Sequence, residues 1–113
     1  MAVLREWHGR TRADRLDDYA RYVEETGLRE YLSTPGNRGA MILTRIEGDV
    51  GHIVTLSLWD SMKSIQAFAG ADVERARYFA RDAEYLLEFE PTVRHYNAQV
   101  YRPREPLTSR EQG

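Results

Sequence analysis

The sequence contains no cysteine, which excludes a disulfide framework, a thiolate-bound zinc or iron–sulfur centre and a thiol nucleophile. It holds four prolines, and only one lysine, Lys63, among its 16 basic residues. So lopsided an arginine share points to genomic base composition rather than to chemistry. Neither charge sign dominates: 16 basic and 18 acidic residues give a net charge of −2, and residues 1–56 and 57–113 each carry 8 basic and 9 acidic groups. That balance argues against a nucleic-acid surface. No apolar run approaches the ~20 residues of a membrane span, and residues 1–12 lack the apolar core of a signal peptide. The expectation is a cytoplasmic protein with no membrane and no nucleic-acid partner.

What is present is a chain of 113 residues, 42% of them hydrophobic, enough for one domain with a thin core. Residues 1–101 read as that domain. The last stretch, RPREPLTSREQG over 102–113, offers almost nothing to bury and reads as a disordered tail.

In residues 2–10, Val3 and Trp7 alternate with polar neighbours as in a strand. Thr11 and Asp14 have the spacing of a capping box, a helix start. Leu16, Tyr19, Ala20 and Val23 follow at helical spacing, with Gly27 placed to cap the end and Pro35-Gly36-Asn37 to stop any further turn. Residues 40–46 and 52–59 are β-rich and flank Gly48-Asp49-Val50-Gly51, which predicts a hairpin. Asp60 or Ser61 caps a second helix that Gly70 interrupts, and shorter helical pieces are predicted over 72–77 and 81–89. A last strand is predicted over 92–101.

The order is β-α-β-β-α-β, the split, ferredoxin-like α+β pattern, with an antiparallel sheet in the order 4-1-3-2 and both helices on one side. Val54, Leu56 and Leu58 alternate with Ile53, Thr55, Ser57 and Trp59, and Met41 and Leu43 with Ile42. Both faces of the hairpin are thus apolar, while two helices cover only one. A second copy of the sheet is the simplest cover, so a homodimer closing a dimeric α/β barrel is expected.

Trp59-Asp60-Ser61, Ala67-Phe68-Ala69-Gly70, Val93-Arg94-His95-Tyr96 and the Pro35-Gly36-Asn37 turn resemble the antibiotic-biosynthesis-monooxygenase-like group of dimeric α/β-barrel proteins over roughly residues 3–100. The resemblance implies a cofactor-independent monooxygenase, or a related small enzyme, acting on an aromatic or enolisable small molecule. It also admits a ligand-binding or stress-related dimer without turnover. The heme-degrading branch pairs an Asn in the first strand with a His about ten residues after a strand-ending Trp. Trp59 fits that Trp, but the first strand offers Arg5, Trp7 and Gly9, and the helix reaches Ala69-Gly70 where the His belongs. Heme degradation is therefore not expected.

Under this resemblance, His95, Tyr78 and Arg45 are the catalytic candidates. His95 would accept a proton near its ordinary pKa, and Tyr78 and Arg45 would steady an anion. Trp59, Trp7, Arg5 and Tyr96 are the substrate-binding candidates. Each has a structural alternative: core packing for the tryptophans and Tyr78, a hydrogen bond at a dimer seam for His95, solvent exposure for Arg45. Arg5 and Glu6 are consecutive on the central strand, so they face opposite sides. Charges there must be paired or wet, by lining a cavity, crossing the dimer interface or lying at an open end. His8, His52 and His95 fall on neighbouring strands, and a zinc or iron site would need all three on one face at one level. No metal and no cofactor is expected.

Overall fold

The computed structural model describes residues 2–103. The tail expected over 102–113 therefore lies almost wholly outside the described residues. A four-stranded antiparallel sheet is built from β1 (Ala2–Arg12), β2 (Asn37–Glu47), β3 (Val50–Trp59) and β4 (Arg94–Ala98), in the order β2-β3-β1-β4. This is the predicted topology. β1 pairs along its length with β3, from Val3 opposite Trp59 to Arg12 opposite Val50, and its first half pairs with β4, with Arg5 opposite His95.

Helix α1 (Leu16–Val23) buries Leu16, Tyr19 and Val23 and carries Asp17 and Asp18 in its first turn, where they complement the positive helix end. It runs through a π-helical turn, Glu24–Leu28, into α2 (Arg29–Ser33). Helix α3 (Met62–Ala69) is capped by Ser61, whose hydroxyl accepts from the Ser64 amide. It buries Ile65 and Phe68 and ends at Gly70, whose φ of +88° lies in the left-handed region.

Four local expectations are corrected. Thr11 and Asp14 form no capping box: Thr11 is a buried strand residue opposite Gly51, its hydroxyl donates to the Arg12 carbonyl, and the residue capping α1 is Arg15. Gly27 caps nothing, because the chain passes through it in the π turn. Residues 72–77 and 81–89 are not helices. Apart from a 3-10 turn at Asp82–Glu84, residues 70–93 run irregularly, fixed by Ala76 N–H to the Pro91 carbonyl, Val93 N–H to the Glu74 carbonyl and Leu87 N–H to the Arg10 carbonyl. The last strand is five residues long, since this segment uses Thr92 and Val93 for its own pairing.

The helices and the irregular segment all lie on one side of the sheet. There Trp7, Ile53, Tyr19, Val23 and Leu86 form one buried cluster and Val3, Trp59, Tyr31, Ile65 and Phe68 another. The other side carries Leu4, Leu56, Leu58, Val54, Met41, Leu43 and Tyr96. Met41 is 54% and Leu43 44% exposed. The two-sided apolar hairpin is thus observed, with one side uncovered.

Candidate functional site

Two hollows flank β1. The larger, about 230 Å³, lies on the uncovered side and is lined by Glu6, His8, Arg10, His52, Glu88 and Arg94 among others. Most of its charged side chains are paired. Glu6 meets His8 Nε2 at 3.1 Å, Arg10 pairs with Glu88, and His52 Nε2 is 3.1 Å from Glu47. Burial pushes the Glu6 carboxyl up, but hydrogen bonds from His8 and the Tyr96 hydroxyl outweigh it and hold the group below the usual glutamate value.

The smaller hollow, about 30 Å³, lies between the sheet, α1, the π turn and the irregular segment, with Arg5, Trp7, Tyr19, Gly27, Tyr31, Thr55, Phe68, Tyr78 and Asp82 among its lining residues. That space is the size of a water or two. Its charges are not satisfied in the same way, which makes it the candidate site.

Arg5 is 2% exposed. Its Nη1 donates to the Val73 carbonyl at 2.6 Å and to His95 Nε2 at 3.1 Å, and its Nη2 to the Arg75 carbonyl at 3.2 Å. Its Nε is buried without a hydrogen-bond partner. Among the described residues no carboxylate pairs with it. Burial pulls its pKa below the ordinary arginine value, with Tyr31 opposing, yet a guanidinium stays charged near neutrality.

Asp82, 4% exposed, is the converse. Its Oδ1 accepts from the Tyr19 hydroxyl at 2.8 Å and its Oδ2 from the Phe79 amide, and no cation pairs with it among the described residues. Burial raises its pKa, against the lowering effect of those two donors. Burial beside this carboxylate also drives the Tyr19 hydroxyl far above the usual tyrosine range.

Trp7 lines the same hollow. Its indole lies over Gly9, two residues along the same strand, where an added Cβ would come within 2.5 Å of the ring. Its Nε1 donates to the Tyr78 hydroxyl at 3.2 Å, and Tyr78 donates onward to the Glu90 carbonyl at 2.6 Å. Burial raises the Tyr78 pKa, with the Trp7 contact opposing. At another edge of the hollow Arg77 lies 4.9 Å from the rings of both Phe68 and Phe79 and pairs with Glu30 of α2 at 2.6 Å.

Of the residues singled out in the sequence, the structure brings Arg5, Trp7 and Tyr78 to this hollow and sets His95 directly behind Arg5. Burial, and then the Arg5 charge, lower the His95 pKa. Trp59 is nearby but fully buried, donating to the Ser57 hydroxyl at 2.8 Å with its ring edge-on to Tyr31, so it is core rather than wall. Arg45 and Tyr96 are not brought there. Arg45 lies on the edge strand near Glu47, and Tyr96 on the uncovered side against Glu6, because both have the strand parity opposite to Arg5. The three histidines do not converge: His8 and His52 occupy the uncovered side and His95 the covered one. No group of three ligating side chains suited to a metal exists among the described residues.

Sequence reasoning missed Asp82, Tyr19, Tyr31 and Arg77. In the sequence, Tyr19 read only as one member of a helical face. The available signal was the π turn, an irregularity frequent at functional sites, which hydropathy spacing does not reveal.

No helix among the described residues is long and apolar enough to cross a membrane. No protein-family model and no curated protein matches the sequence. Solved structures do match. A candidate antibiotic biosynthesis monooxygenase from Nitrosomonas europaea is 13% identical, with a TM-score of 0.60 over 86% of this chain and 89% of that one. Rv0793 from Mycobacterium tuberculosis is 11% identical, with a TM-score of 0.61 over 91% and 100% of the two chains. A candidate antibiotic biosynthesis monooxygenase from Bacillus cereus is 8% identical, with a TM-score of 0.62 over 89% and 98%. The chain therefore has the α+β fold of the antibiotic-biosynthesis-monooxygenase-like proteins.

Proposed function

We propose that the protein is a cofactor-independent monooxygenase, or a related small enzyme, that acts on an aromatic or enolisable small molecule in the hollow between β1, α1 and residues 70–93. The observation that carries this reading is Arg5, a buried guanidinium with no carboxylate partner among the described residues, at the wall of an aromatic-lined pocket. An uncompensated buried cation is costly unless something anionic completes it. An enolate or phenolate oxygen would do so, with His95 holding the guanidinium from behind and Trp7 and Tyr78 flanking the ring. Once a substrate methylene has lost a proton, its carbanion can combine with O₂, and loss of water from the peroxide leaves a carbonyl: R₂CH₂ + O₂ → R₂C=O + H₂O. The chain's part is to bind, deprotonate and hold the anion.

A substrate of ten or more heavy atoms exceeds 30 Å³, so it enters by displacing the irregular segment. Beyond the Leu87 amide on the Arg10 carbonyl, that wall is held by side chains: Arg5 donates to two carbonyls, the Tyr22 hydroxyl accepts from the Arg81 amide, and Arg77 pairs with Glu30. The functional unit of this reading is a homodimer, with a second copy covering the apolar side of the sheet.

A second reading, a ligand-binding dimer without turnover, is favoured by the engagement of His95 Nε2 and both Arg5 Nη atoms in hydrogen bonds. Oxygen uptake separates the two. With anthrone and related enolisable aromatic ketones, the enzyme reading expects protein-dependent O₂ consumption that Arg5→Gln removes. Binding without O₂ consumption across the panel would leave the second reading standing.

A further inference from the structure

Arg5 and Asp82 are both nearly fully buried, both line the same hollow, and each lacks an opposite charge among the described residues. They are not paired with each other, so two uncompensated charges of opposite sign face one small space. A single neutral acid resolves both. If it gives its proton to Asp82, the carboxyl becomes neutral, and the conjugate base supplies the anion that Arg5 lacks. We propose that Asp82 is the proton acceptor of this pocket and that, together with Arg5, it ionises a neutral phenol or enol on binding.

In this step the ligand's O–H bond, or the C–H bond of its keto form, breaks. The proton bonds to a carboxylate oxygen of Asp82, and the electron pair stays on the ligand with its charge on the oxygen facing Arg5. An ionised carboxylate has about four lone-pair positions, and Tyr19 and the Phe79 amide occupy two of them. The Arg5 Nε–H is buried without a hydrogen-bond partner. The titratable groups facing Asp82 are Tyr19 from α1 and Tyr78 from its own segment, both neutral near pH 7. Arg81, the preceding residue, is turned to Glu84. Facing Arg5 are His95 from β4, on which Glu74 also acts, and Tyr31 from α2, and Arg77, paired with Glu30, lines the same hollow. Among the described residues neither Arg5 nor Asp82 forms a salt bridge of its own.

The inference rests on the reading of this hollow as the ligand site, and it requires no oxygen chemistry. The test titrates the full chain with 4-nitrophenol, whose ionised form is distinguished by its visible absorption, at a pH about one unit below its pKa in solution. Quenching of tryptophan fluorescence reports binding independently. The expected result is a bound probe at least about tenfold more ionised than the free one, equivalent to one pKa unit. In Asp82→Asn and Asp82→Ala, which keep Arg5 but lose the acceptor, ionisation of the bound probe should release its proton to the buffer, whereas the parent keeps that proton on Asp82. Asparagine suits the test because it can accept from the Phe79 amide and donate to Tyr19, which preserves both contacts. A probe that binds in its neutral form, a proton release by the parent equal to that of both variants, or a probe that does not bind overturns the proposal. Ionisation without O₂ uptake by anthrone would overturn the monooxygenase reading alone. O₂ uptake undiminished in Asp82→Asn would overturn this proposal alone.

Discussion

Arg5 Nη1 lies 3.1 Å from His95 Nε2, across directly paired positions of β1 and β4. A guanidinium only donates, so Nε2 is the accepting nitrogen and the neutral ring carries its proton on Nδ1. The neighbouring cation and burial both disfavour a second proton. His95 is thus set to support Arg5 rather than to take a proton while that contact holds.

This assignment gives a pH dependence. The folded-state pKa of His95 lies below its ordinary 6.5, so between the two values the unfolded chain binds more protons. Stability is complete above about pH 6.5 and falls as the pH drops toward the folded value. His95→Asn, which keeps an acceptor for Arg5, should lose less stability than the parent between pH 7 and pH 5 in denaturant titrations. Equal losses would contradict the assignment.

Asp82 has the opposite sign. Its folded-state pKa lies above 3.8, so its contribution is complete below that pH and is lost as the pH rises through the folded value. Ionisation of the buried group therefore destabilises the fold, and Asp82→Asn should melt higher than the parent at pH 7. The gap should close below pH 3.8. A lower melting temperature at pH 7 would show that the carboxylate is needed to hold residues 70–93.

Arg5→Met strips the Val73 and Arg75 carbonyls of their donor. Unsatisfied buried groups of this kind cost about 1–3 kcal/mol each, partly offset by removal of a buried charge. We expect a net loss of about 2 kcal/mol, concentrated in the irregular segment. Hydrogen exchange at Ala76 and Val93 should accelerate about thirtyfold, while amides of the β1–β3 ladder change little. A uniform acceleration would mean that Arg5 supports the whole sheet.

The uncovered side of the sheet predicts self-association. The parent should sediment as a dimer at micromolar concentration, and Leu43→Lys, which places a charge on the edge strand, should yield a folded monomer. A monomeric parent would remove the dimer from the proposed function.

Strand order, the hairpin and α1 were legible because each rests on a local pattern: period two over residues 52–59, helical spacing from Leu16 to Val23, a glycine-bearing loop between strands. Parity also placed Arg5 and Glu6 on opposite faces. The site was less legible. The apolar spacing of residues 81–89 satisfies a helix, yet Leu86 packs beside Trp7 and Gly9 and Leu87 bonds to Arg10, so tertiary contacts override it. Thr11 was drawn from its capping role by pairing with β3. Asp82 has no local signature, since what distinguishes it is its burial and its contact with Tyr19 of α1, far away in the chain.

Arg5 grips residues 70–93 by the carbonyls of Val73 and Arg75, atoms that every amino acid supplies. The side chains at 73 and 75 can therefore be exchanged with little loss of closure, whereas position 5 cannot. Under the proposed function, substrate preference would be re-tuned through the covering segment while the clasp beneath it stays the same.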